Sequence, residues 1–205
     1  MILVYSHKIT PRLTYIFRQI FIRILELPVD FTSTIEKFVS HSGPKISYTH
    51  QPLGKEFFIA SHDLLFQQGI QEVEVEVSNW SGTPTFFKLS KDSQLPFDIF
   101  AASFYLMSRY EEFLPHVKDE LGSFLPLQSL AAKNNFLELP LIDLWALRLK
   151  DKLYVFFPEL PHISWNKPTF QPIVSVVNPY QYKHKSLLLK VVDSLQSIWS
   201  LNLFS

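Results

Sequence analysis

The sequence predicts an α/β fold with a mixed, mainly parallel sheet, flanking helices and a hairpin, and three observations lead there. Residues Ile2–Tyr5 form a short unbroken apolar run, as a strand buried on both faces requires. A helix start follows at once, and three more short apolar runs come after the helix, the β-α-β order of a parallel sheet. Valine and glutamate then alternate over 72–77 with the period of a half-buried strand.

Each element has a local reason. Thr10 stands as an N-cap with Pro11 at the first helical position, where the missing N–H costs nothing. Leu13, Ile16, Phe17, Ile20 and Ile24 then recur at helical spacing, opposite Arg12, Gln19, Arg23 and Glu26, so the helix lays an apolar face on a sheet. Val29–Thr32, Lys45–Thr49 and Phe57–Ala60 read as further strands. The alternation at 72–77 places Val73, Val75 and Val77 on one face and Glu72, Glu74 and Glu76 on a solvated one. With a turn over 79–84 leading into 85–89, it predicts a hairpin. Two helices follow, over 97–113 and from Pro140 to about Leu153, separated by a loop-rich stretch at 114–138.

Pro158, Pro161, Pro168 and Pro172 come without periodicity and mark a boundary. Beyond it, 173–177 reads as a buried strand and 185–199 as a helix with Leu188, Val191, Leu195 and Ile198 on one side. The expected organisation is a domain over 1–157, a proline-rich linker over 158–172 and a strand-helix stub over 173–205. A lone strand and helix leave apolar faces uncovered, which predicts either docking or self-association through the tail.

Composition narrows the function. In 205 residues, 19 Lys+Arg balance 19 Asp+Glu, so bulk charge draws the chain neither to nucleic acid nor to an anionic membrane. With 47% hydrophobic and 19% charged residues the chain collapses rather than staying disordered. The absence of Cys removes disulfides, thiolate catalysis and zinc-thiolate sites. The early apolar stretch is interrupted by Arg12, Arg18, Arg23 and Glu26, too many charges for a membrane span. The opening MILVYSHK carries no leader signature, so the expected location is cytoplasmic.

The five glycines never approach a phosphate-cradling motif, no G-x-S-x-G elbow occurs, and none of the seven histidines pair at i, i+4. No catalytic residue, cofactor or metal site is therefore predicted. The segment PFDIFAASFYLMSRYEEFLP is the most informative: at about 100° per residue, Asp98, Tyr105, Arg109 and Glu112 share an arc of about 60° on a largely apolar helix. These four are the candidate ligand-binding residues. Arg109 can offer a planar fork to a carboxylate or phosphate, and Tyr105 can orient a hydroxylated ligand such as a sugar. The stripe also reads as a solvent face or a polar clamp on neighbouring loops, in which Arg109 pairs with Glu112 or Tyr105.

That segment, together with DELGSF (119–124), SLAAKNNFLELPLIDLW (129–145) and the opening ILVYSHKITPRLTYIF, resembles an uncharacterised N-terminal domain of bacterial polysaccharide deacetylase-like proteins. The resemblance runs through most of 1 to about 185. It implies an accessory domain that hands over to the first strand of a deacetylase-like barrel, usually opening on Ile-Asp-x-Asp. Here Ser175 and Val177 stand where the acids are expected, and Leu121 and Ser123 replace a more polar D-x-H-G-R-F-like loop. Such deacetylases hold one metal with an Asp and an H-x-x-x-H pair, which this chain lacks. The resemblance thus implies a non-catalytic accessory or interaction module of a carbohydrate-processing protein, with a deacetylase-like catalytic domain or a polysaccharide as partner. The alternatives are a small hydrolase of a glycan or nucleotide-sugar using the helix stripe, and a structural subunit.

Overall fold

A computed structural model of the protein describes residues 1–161, 170–175 and 186, and the chain divides into two units, Met1–Ile163 and Ser164–Ser205. The first unit opens as expected. Strand β1 (Ile2–Tyr5) leads to helix α1 (Pro11–Arg18), whose Thr10 cap accepts from the Leu13 amide while its hydroxyl donates to Leu65 O at 2.6 Å. The helix then widens into a π-turn over Gln19–Ile24, in which Leu25 N reaches back five residues to Ile20 O. Glu26, left-handed at φ 52°, ends it.

Strand β2 (Val29–Thr32), helix α2 (Ile35–Ser40), β3 (Lys45–Thr49) and β4 (Phe57–Ala60) complete an all-parallel sheet in the order β2-β1-β3-β4. Its register pairs Ile2 with Val29, Leu3 with Lys45 and Ile46 with Phe57. Both faces are covered, as parallel sheets require. Ile2, Val4, Ile46, Tyr48, Phe57 and Ile59 face the main core, where Phe17 of α1 stacks on Phe100. On the other face Tyr5 meets Phe38 of α2.

The 72–77 segment departs from expectation. Its valines pack against the core and its glutamates are exposed, but it forms no strand ladder. The hairpin lies downstream, β5 (Ser78–Trp80) against β6 (Thr83–Thr85), turning through Ser81 (φ 52°) and Gly82 (φ 82°). Two consecutive positive φ values match the twist of a tight antiparallel pair, and Asn79 Oδ1 accepts the Gly82 amide at 2.8 Å.

The helix expected over 97–113 is shorter: α3 spans Ile99–Met107. A short helix α4 (Leu130–Lys133) lies in the loop-rich stretch, and α5 spans Leu141–Phe156. Trp145 of α5 is fully buried and its indole N–H donates to Pro84 O, while Arg148 binds the carbonyls of Trp80 and Ser81 and covers the Trp80 ring, fixing the hairpin to the helix. Phe157 joins the core, and so does Leu160 from the start of the expected linker.

In the second unit, 170–175 carry no regular structure, and Ile173 and Val174 are exposed. The strand expected at 173–177 is thus not formed over 173–175. The rest of it, and the helix expected over 185–199 except Ser186, lie outside the described residues. Among the described residues no helix is long and apolar enough to cross a membrane.

Candidate functional site

The four residues of the predicted stripe do not share one helix face. Asp98 is the N-cap of α3 and is fully buried. Its Oδ1 accepts the amides of Phe100 (3.0 Å) and Ala101 (2.9 Å), and its Oδ2 accepts the Tyr48 hydroxyl (2.5 Å) and the His62 amide (2.8 Å). Burial pushes this carboxyl up to about 6 against the opposing pull of all four donors. Asp98 is a joint between β3, the exit of β4 and α3, and no ligand can reach it. The hydrolase alternative, which needs Asp98 in an open pocket beside Arg109, loses that residue.

The helix stops before Arg109. Ser108 turns both its amide and its hydroxyl onto Phe104 O, and Arg109 takes left-handed φ 51°, ψ 44°. A short 3₁₀ turn, Tyr110–Phe113, follows in a new direction. This reversal explains why the stripe scatters, because angles projected along one helix have no meaning across it. Arg109 and Glu112 pair with each other at the surface, Arg109 being largely exposed. Tyr110 turns inward instead, its hydroxyl accepting the Gln71 amide and donating to Gln71 O.

Of the four, Tyr105 lines a cleft, and the reversed turn supplies its companions. The cleft holds about 230 Å³ and is walled by Tyr105, Glu111, His116, Phe124, Gln128 and Lys133. One wall is a loop pinched at the Lys118–Phe124 bridge, where Asp119 Oδ1 accepts the amides of Leu121 and Ser123 around Gly122 (φ 79°). Gln128 Nε2 donates to Val117 O and ties the loop to α4, whose cap is Ser129.

The chemistry of the walls is specific. Glu111 Oε2 accepts the Leu130 amide at 2.7 Å, and Oε1 has no partner among the described residues. Burial raises this carboxyl above its ordinary value, opposed by the Leu130 amide, while Glu112 adds to the rise and Lys133 opposes it. His116 Nδ1 lies 2.8 Å from Leu114 O. A carbonyl only accepts, so Nδ1 of the neutral ring carries the hydrogen and Nε2 is left as an acceptor. Tyr105 is 5% exposed, yet its hydroxyl has no hydrogen-bond partner among the described residues. Burial pushes its hydroxyl up to about 12, so it stays protonated and able to donate. Phe124 sets an aromatic edge beside His116, with ring centroids 5.0 Å apart.

Sequence reasoning missed Glu111, His116, Phe124, Gln128 and Lys133. Glu111 follows Arg109 by two residues, and only the left-handed turn swings it to the side of Tyr105. The visible signal was the DELGSF loop, whose Asp-x-x-Gly pattern marks the tight turn that carries Phe124.

At the carboxyl edge of the sheet, His7 after β1 stacks on His50 after β3, and His50 Nε2 lies 3.7 Å from Asp63, all on open surface. Among the described residues no three His, Cys, Asp or Glu side chains converge as metal ligands would. The Tyr105 cleft can hold one small hydroxylated ring: it offers a donor and acceptor at Tyr105, acceptors at Glu111 and His116, a cation at Lys133 and an apolar wall at Phe124.

A model of a family of unknown function, DUF7033, matches residues 2–158. No curated protein and no solved structure matches the chain.

Proposed function

We propose that this chain, which belongs to the DUF7033 family, is a non-catalytic accessory module of a polysaccharide deacetylase-like protein, and that it holds a glycan for a catalytic partner. The observation that carries this reading is the Tyr105 cleft. It combines a nearly buried tyrosine whose hydroxyl, like one Glu111 carboxylate oxygen, has no partner among the described residues with an aromatic wall, in a volume suited to one sugar ring. Hydroxyl groups of a sugar satisfy such polar atoms, while the C–H face of the ring covers Phe124. The resemblance at residues 96–115, 119–124 and 129–145 supports the same reading, since all three segments border the cleft. The missing H-x-x-x-H pair, and Ser175 and Val177 at the acidic positions, support a binding role over a hydrolytic one.

The test is titration of the ¹⁵N-labelled chain with chitooligosaccharides, alongside an acetate-release assay with added divalent metal. Shifts at the amides of Glu111, His116 and Phe124 without acetate release are expected. Acetate release above a blank, or no shift with any glycan, would overturn the reading.

A further inference from the structure

We infer that the Tyr105 cleft prefers an amino sugar with a free amine over its N-acetylated form, an inference that rests on the reading of the cleft as a glycan site. Glu111, His116 and Tyr105 all line the cleft, and Glu111 Oε1, His116 Nε2 and the Tyr105 hydroxyl have no hydrogen-bond partner among the described residues. Among the described residues no cation lies within ion-pair distance of Glu111: Lys133 lines the same cleft and acts on Glu111 through its charge without contacting it, so it also opposes a cationic ligand, and Arg109 is taken by Glu112. A half-buried carboxylate with one unused oxygen gains most from a charged donor. An ammonium brings three donors and a positive charge to this acceptor set, and the ring of Phe124 adds cation–π attraction. Acetylation removes that charge and two of the donors, and brings a methyl group and a carbonyl oxygen against the same acceptors.

The experiment compares D-glucosamine, N-acetyl-D-glucosamine and D-glucose by ¹⁵N chemical-shift titration of the whole chain at neutral pH. Glucosamine is expected to bind about fivefold to tenfold tighter than N-acetylglucosamine. Glu111→Gln, which keeps an acceptor for the Leu130 amide, should abolish that preference while glucose binding persists. Should the variant lose its dispersed spectrum, raising the pH on the unaltered chain until the glucosamine amine is neutral must erase the preference instead. Equal or reversed preference, or a preference that survives either manipulation, overturns this inference and leaves the glycan site standing. If none of the three sugars shifts the cleft resonances, the glycan reading falls with it.

Discussion

Tyr48 donates its hydroxyl to Asp98 Oδ2 at 2.5 Å, joining the middle of the parallel sheet to the first turn of α3 across 50 residues of sequence. Both side chains are fully buried, so the contact is the polar centre of an aromatic core in which Phe17, Tyr48 and Phe100 meet edge and face. Because α3 ends at the reversed turn that builds the Tyr105 cleft, whatever fixes the start of α3 also fixes that cleft.

The Asp98 carboxyl gives stability a defined pH dependence. Its ordinary value is 3.8 and burial raises it to about 6. Between these values the folded chain keeps a proton that the unfolded chain has released, so stability falls as pH rises from about 4 to about 6. The span corresponds to about 3 kcal/mol. Asp98→Asn cannot titrate, and urea unfolding of the two chains across this range should show stability falling more steeply in the parent than in the variant. Glu111 is raised in the same direction but is common to both, so the difference isolates Asp98.

Arg109 should be dispensable for folding. A left-handed backbone costs a non-glycine residue about 1 kcal/mol, and an exposed ion pair such as that with Glu112 returns little of it. Arg109→Gly is expected to raise stability by about 0.5 kcal/mol, and Arg109→Ala to change it little. Equilibrium denaturation decides this: a loss above about 2 kcal/mol in either variant would assign Arg109 a structural role that its exposure does not show.

Much of the fold was legible because it is locally encoded. The apolar runs of β1, β3 and β4 and the Thr10-Pro11 start of α1 each carry their own signal. At 72–77 alternation correctly placed the valines inward, but periodicity reports which side faces the core and is silent on whether a neighbouring strand exists to pair with. The end of α3 was illegible for a different reason. Nothing in Met107-Ser108-Arg109 forbids helix, and the left-handed residue is one whose type rarely adopts that conformation. The cleft depends on that one reversal and on a segment closing onto Glu111 from 19 residues away, so its members could not be assembled from spacing.

The hairpin turn should respond to backbone conformation alone. A Cβ at Gly82 would meet nothing within 4 Å, so Gly82→Ala costs only what φ 82° costs an L-residue, about 1 kcal/mol. Ser81→Asn should stabilise by a few tenths of a kcal/mol, since Asn-Gly is the favoured pair for two consecutive positive φ values. Thermal unfolding of both variants checks the two signs together, and a neutral Gly82→Ala would mean that the turn is not held in this conformation.

Trp145 is where the hairpin, α3 and α5 meet, and its replacement separates packing from hydrogen bonding. The side chain is fully buried against Phe86 and Phe97, and its indole N–H reaches Pro84 O at 3.0 Å. Trp145→Phe keeps an aromatic ring but leaves a void and a carbonyl without its donor, for a cost of about 2 kcal/mol. Trp145→Ala removes the ring as well and should cost about 3–5 kcal/mol. Arg148, one turn further on, holds the same hairpin through the Trp80 and Ser81 carbonyls, so the two residues share a load. A double-mutant cycle between Trp145→Phe and Arg148→Met should therefore show a coupling of about 0.5–1 kcal/mol. Strict additivity in urea unfolding would mean that α5 grips the hairpin at two independent points.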